Sequence, residues 1–128
     1  MYLKLHSDFA GNALAREAAD IIKSCVHCGF CNATCPTYQE LFDERDGPRG
    51  RLYLVKHMLE SGQAGEATRM HLDRCLTCRA CETTCPSGVR YSRVADNGRE
   101  IIDKATRRPI AERLMRCLLY TSDAADED

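Results

Sequence analysis

The chain has 128 residues, 18 Lys and Arg against 19 Asp and Glu, no Trp and nine Cys. That length suits one compact domain or two very small ones, and excludes a large catalytic barrel or doubly wound sheet. A formal charge of −1 argues against a nucleic-acid footprint, which needs a clustered basic excess, and no apolar run reaches the roughly 18 residues of a membrane span.

In chain order, the apolar spacing first predicts a helix over about residues 8–24, with Leu14, Ala18, Ile21 and Ile22 on one face and Ser7 or Asp8 as its N-cap. Asp46-Gly47-Pro48 opens the sharpest helix signal, because proline is tolerated in a first turn. Leu52, Val55, Met58 and Leu59 follow at helical spacing, and Gly62 stands where that helix ends. A short helix over about 64–74 delivers Cys75 from its C-terminal end. After Pro86-Ser87-Gly88, a longer one over about 90–106 carries Val94, Ile101 and Ile102 inward, interrupted at its centre by the turn-favouring pair Asn97-Gly98. Pro109 opens one more. With no sustained alternation and no hairpin dipeptide, the fold class is mainly α with little strand.

One internal repeat dominates. Cys25-Val-His-Cys28-Gly-Phe-Cys31-Asn-Ala-Thr-Cys35-Pro36 recurs as Cys75-Leu-Thr-Cys78-Arg-Ala-Cys81-Glu-Thr-Thr-Cys85-Pro86, offset by 50 residues at every cysteine. With only eight aromatics in the chain, the apolar core is thin and needs a staple. The first dozen residues lack the apolar stretch of a secretory signal, so a reducing compartment is expected, where thiols stay available for metal rather than for disulfides.

The run C-x2-C-x2-C-x3-C-P is the ligand pattern of bacterial ferredoxins, in which the fourth cysteine of each run serves the other cluster. Three thiols at i, i+3 and i+6 on a looping backbone converge on one cubane, and the proline, lacking an N–H, stops a helix from continuing there. The rule assigns Cys25, Cys28, Cys31 and Cys85 to one [4Fe–4S] cluster, and Cys75, Cys78, Cys81 and Cys35 to a second. Such crossed ligation ties the repeats together. Zinc also takes four thiolates, but from two C-x2-C pairs across a longer spacer. A purely structural role is the alternative to electron transfer, which two adjacent clusters serve more naturally.

Smaller expectations surround these. His27 is read as a packing or hydrogen-bonding neighbour that tunes potential, and His6, His57 and His71 as helix-surface residues. Arg49 and Arg51 either offset the negative charge of a thiolate-ligated cluster or belong to a solvated first turn. No Gly-rich phosphate loop, nucleophile motif or carboxylate constellation appears, so no catalytic residue is assigned.

The blocks CVHCGFCNATCPTYQE, DGPRGRLYLVKHMLESG and HLDRCLTCRACETTCPSGVRYSRVADNGREII together resemble the iron–sulfur subunits of glycolate oxidase (glycolate dehydrogenase), over about residues 13–116. The resemblance implies a helical two-[4Fe–4S] ferredoxin-like domain, as in the succinate dehydrogenase and fumarate reductase iron–sulfur proteins. It implies FAD-containing partner subunits that oxidise glycolate to glyoxylate, with the iron–sulfur subunit passing electrons singly to a quinone or other acceptor. All eight cysteines above carry over as ligands, and no substrate-binding residue does. The implied location is cytoplasmic, at the inner membrane face through partners alone. Relatives serving lactate or glycerol-3-phosphate dehydrogenases, or a freestanding ferredoxin-like carrier, are the alternatives.

The expected organisation is an N-terminal helix over 1–24, the two-cluster domain over 25–106, the start of a following region over 107–116, and a tail over 117–128. The resemblance also implies that family members continue past this length into cysteine-rich C-terminal domains. The tail, with Asp123, Asp126, Glu127 and Asp128 in its last six residues, resembles the translation of a transposase adapter used in sequencing libraries. It is therefore expected to be non-native or disordered, and Cys117 is not assigned as a ligand.

Overall fold

The computed structural model describes residues 2–106 and 108–126, with side chains as far as Leu119. The chain is mainly helical, with no strand among the described residues. Helix α1 (Ala13–Ile22) begins later than its apolar spacing suggests, because Ser7–Phe9 form a separate 3₁₀ turn. Asn12, not Ser7 or Asp8, caps α1: its Oδ1 accepts the Leu14 and Ala15 N–H groups at 3.0 and 3.3 Å. Those are two of the four amides that a helix start leaves unpaired.

Two short helices lie inside or beside the cysteine runs, where no apolar period announces them. Pro36 does stop a 3₁₀ turn over Phe30–Thr34, but it also occupies the first turn of α2 (Pro36–Leu41). A missing N–H costs nothing at that position. Helix α3 (Pro48–Ser61) has the predicted bounds and ends on left-handed Gly62, whose N–H donates to the Met58 carbonyl at 3.0 Å. Helix α4 (Glu66–Asp73) follows, then α5 (Ala80–Thr84) inside the second run.

Helix α6 (Tyr91–Ala105) runs straight through Asn97-Gly98. Tertiary packing overrides the local turn preference there. Asn97 Nδ2 donates to the Leu14 carbonyl at 3.1 Å, and a Cβ at Gly98 would stand 3.2 Å from Val55 and 3.4 Å from Leu72. Helix α7 (Ile110–Asp126) follows Pro109 and crosses position 117 without a break. The expectation of a non-native tail falls partly outside the described residues, which end at Asp126, with side chains described only to Leu119.

The core sits where α1 and α3 meet α6, with α4 closing it. Ala15, Ala18 and Ile22 of α1 and Val55, Met58 and Leu59 of α3 are almost fully buried. Small alanines let α1 lie close to α6, so the thin apolar content is used efficiently. Among the described residues no helix is long and apolar enough to cross a membrane.

One glycine fixes how the site is assembled. A Cβ on Gly50 would fall 1.8 Å from the Glu44 carbonyl oxygen and 2.5 Å from its carbon. The first turn of α3 and the 3₁₀ turn Glu44–Asp46 therefore meet backbone to backbone. Gly50→Ala is expected to destabilise by at least about 1–3 kcal/mol, since neither backbone can yield cheaply. Gly11→Ala, which meets nothing within 4 Å, should leave the urea midpoint nearly unchanged. Equal midpoints for the two variants would refute the contact.

Candidate iron–sulfur site

Both runs bend in the same way. His27 and Thr77 have left-handed φ values of 62° and 56°, and Gly29 and Arg79 of 82° and 62°. These are matched positions of the repeat. Left-handed backbone strains the non-glycine residues, and turns of this kind aim successive N–H groups into a concavity suited to an anionic centre.

The bends create two cavities of similar size, about 440 and 410 Å³ of empty space counting the part open to solvent. Cys25, Cys28, Cys31, Cys81 and Cys85 border the first. Cys35, Cys75, Cys78 and Cys81 border the second. Each cavity thus draws on both runs. The cause is the packing of α5 against the 3₁₀ turn Phe30–Thr34, where Thr84 Oγ1 lies 3.4 Å from Thr34 Oγ1. Cys81, Pro48 and Tyr91 border both cavities and form their common wall.

Cys28 and Cys78 are exposed, Cys35 and Cys81 are buried, and the remaining four are intermediate. In the metal-free chain, iodoacetamide is expected to modify Cys28 and Cys78 first and Cys35 and Cys81 last, read by peptide mass mapping. Burial pushes the Cys81 thiol up to about 12, helped by the neighbouring Cys31, Cys75 and Cys35, and burial likewise raises Cys31. These thiols resist ionising together until a cation compensates them, so metal loading must release protons.

Two buried polar atoms beside the cavities make no hydrogen bond of good geometry within the protein: Tyr91 Oη at the common wall, which faces the Cys75 thiol, and His27 Nδ1 at the first cavity. Orphaned donors of this kind suit a sulfur-rich anionic occupant. His27 stacks on Tyr53 with ring centroids 4.6 Å apart, as a packing neighbour does. Among the described residues no three His, Cys, Asp or Glu side chains stand where one metal ion would be held.

The second cavity is backed by a buried charge network that sequence patterns did not reveal. Asp46 is fully buried, and its carboxylate meets His71 Nδ1 at 2.7 Å and Arg74 Nη1 at 3.1 Å. Arg51, 1% exposed, donates Nε to the His71 carbonyl at 2.7 Å and Nη2 to Thr37 Oγ1 at 3.0 Å. Its Nη1 reaches Cys35 Sγ at 3.8 Å. His71 is therefore no surface residue: it lies 1% exposed against a partner 25 positions earlier. His57 is exposed as expected, and His6 caps the first 3₁₀ turn. Arg51 therefore does not lie in a solvated first turn: it is buried beside Cys35. Arg49 stays nearer solvent, donating Nε to Glu44 Oε1 at 2.7 Å and Nη1 to the His27 carbonyl at 3.2 Å.

A helical domain in which a repeated four-cysteine run surrounds two cavities of similar size defines a two-cluster iron–sulfur protein. A family model described as "4Fe-4S dicluster domain" matches residues 21–89, and the chain belongs to that family. Its cofactors are two [4Fe–4S] clusters. The chain is 57% identical to the glycolate oxidase iron–sulfur subunit of Escherichia coli (strain K12), over 91% of this chain and 28% of that one. It is 42% identical to a probable glycolate oxidase iron–sulfur subunit of Bacillus subtilis (strain 168), over 73% of this chain and 21% of that one. A more distant likeness, 32% over 58% of this chain and 31% of the other, is to the succinate dehydrogenase iron–sulfur subunit of Paracoccus denitrificans. The chain thus spans between a fifth and a third of these relatives. No solved structure matches it.

Proposed function

We propose that this chain carries electrons within a flavin-dependent glycolate dehydrogenase, between a FAD-containing partner that oxidises glycolate to glyoxylate and a quinone or similar acceptor. The observation that carries the electron-transfer reading is the common wall of the two cavities at Cys81, Pro48 and Tyr91, since adjacent centres make a path. The choice of glycolate rests on the 57% identity to a glycolate oxidase subunit.

In this reading Cys25, Cys28, Cys31 and Cys85 hold the first cluster, and Cys75, Cys78, Cys81 and Cys35 the second, within a domain over 25–106. A [4Fe–4S] cluster supplies one-electron redox chemistry at a potential set by its surroundings. The protein's part is to present four thiolates to each site, keep Cys35 and Cys81 from water, and leave Cys28 and Cys78 near the surface. A reduced flavin gives up two electrons, so a pair of single-electron sites is chemically useful beside it. Substrate recognition belongs to the flavoprotein, and contact with the cytoplasmic membrane face to the partners.

The test is anaerobic loading of the full chain followed by mixing with its flavoprotein subunits. About eight iron and eight sulfide per chain are expected, with visible absorbance that bleaches on adding glycolate. Bleaching with lactate or glycerol-3-phosphate and not glycolate would replace the substrate. Failure to bind iron and sulfide would end the reading.

A further inference from the structure

The two cavities offer their thiols different kinds of donor. At the first, Cys85 Sγ accepts the Val89 N–H at 3.4 Å, and Cys31 is approached by the Arg49 backbone N–H. Both are neutral. The side chain of Arg49 is 30% exposed and is held by the Glu44 carboxylate at 2.7 Å, so its charge is largely cancelled and screened. At the second cavity Cys35 Sγ meets the neutral Thr37 hydroxyl at 3.2 Å and, in addition, a cation, Arg51, which donates at 3.8 Å and is 1% exposed.

That charge is only partly offset locally. The Asp46 carboxylate stands 3.9 Å from Arg51 but is shared with Arg74 at 3.1 Å and His71 at 2.7 Å. Two arginines therefore face one carboxylate. Arg51 is also held in place from three directions, by Thr37 Oγ1, the His71 carbonyl and Asp46. It cannot swing away from Cys35 as a surface arginine would. A fixed buried cation beside a thiolate favours an added electron there, because charge interactions are strong where water is excluded.

We propose that Arg51 biases the electron distribution between the two clusters, making the site of Cys35, Cys75, Cys78 and Cys81 the higher-potential centre, on which a single electron shared with the site of Cys25, Cys28, Cys31 and Cys85 comes to rest. No bond forms or breaks in this step. One electron, supplied by the partner's reduced flavin, moves across the wall of Cys81, Pro48 and Tyr91 and leaves to the acceptor. Arg51 is a positioning residue in this scheme: it acts through the Cys35 thiolate. The inference rests on the two-cluster electron-transfer reading.

The experiment is a redox titration of the anaerobically loaded full chain, followed by electron paramagnetic resonance. The centre that Cys35→Ser abolishes is expected to be reduced first. Arg51→Gln should shift the electron distribution between the two centres at least about tenfold, equivalent to 59 mV for one electron, by lowering that centre alone. Arg51→Lys, which keeps the charge, should restore much of the difference. Because Arg51→Gln weakens the network around buried Asp46, the double variant Asp46→Asn/Arg51→Gln serves as a second test and should show the same selective shift. A merely structural Arg51 would lower cluster content without moving the potential of the clusters that remain. Two intact centres that move together, or do not move, overturn this inference and leave the electron-transfer reading standing. A wild-type chain that binds fewer than two clusters overturns both.

Discussion

Cys35→Ser is expected to abolish the cluster shared with Cys75, Cys78 and Cys81 while sparing the one beside it in sequence. The reason lies in the packing of α5 against the 3₁₀ turn Phe30–Thr34. That packing places the end of the first run on the second cavity, which Cys35 borders and the first cavity does not share. Around Cys35 the structure builds a specific setting: Thr37 Oγ1 at 3.2 Å, the Asp46 carbonyl at 3.6 Å and Arg51 Nη1 at 3.8 Å. Serine keeps the volume but is a poor match for iron's preference for thiolate here. Iron content should fall from about eight to about four per chain, and the surviving signal should be the lower-potential one. Cys85→Ser should do the converse. Selective loss of the centre held by Cys25, Cys28 and Cys31 in the Cys35 variant would overturn the crossed assignment.

Local signals made part of this legible. The 50-residue offset of the cysteines and the Pro48-to-Gly62 span of α3 need only spacing and end signals to be read. The missing parts share a cause: they depend on residues far apart in sequence. Asp46 reads locally as a polar residue before a helix start, and His71 sits in a segment of mixed polarity. Only the approach of the Glu44–Asp46 turn to α4 buries both. The same holds for Asn97-Gly98, whose turn preference gives way once Leu14, Val55 and Leu72 are in place. The reach of α2 and α5 was hidden for another reason, since helices of six and five residues carry too few turns for a period. The left-handed pairs at 27/77 and 29/79 had one available clue: the first run spends a glycine where the second has Arg79.

The largest stability effect is expected at Asp46. Asp46→Ala removes the one carboxylate that His71, Arg74 and Arg51 share, leaving a fully buried guanidinium with no counter-ion. Breaking a buried pair from one side costs about 3–5 kcal/mol, far more than the pair contributes when intact. Against the 5–15 kcal/mol that a small domain typically has, the variant should populate unfolded chain and load clusters poorly. Asp43 tests whether burial is the cause. It lies three residues earlier, pairs with Arg45 at 2.8 Å and is solvent-accessible, and the Arg45 guanidinium holds its carboxyl well below the usual range. Water and salt replace such an exposed partner readily, so Asp43→Ala, which also gives up the cap its Oδ1 makes to the Arg45 N–H, should move the denaturation midpoint of the loaded chain far less than Asp46→Ala does. A further substitution closes the argument. In Asp46→Ala/Arg51→Met the stranded charge is gone, so much of the lost stability should return, whereas Arg51→Met alone should be destabilising. If the double variant is as unstable as the sum of the two single ones, the residues act independently and the shared-carboxylate account of the network fails.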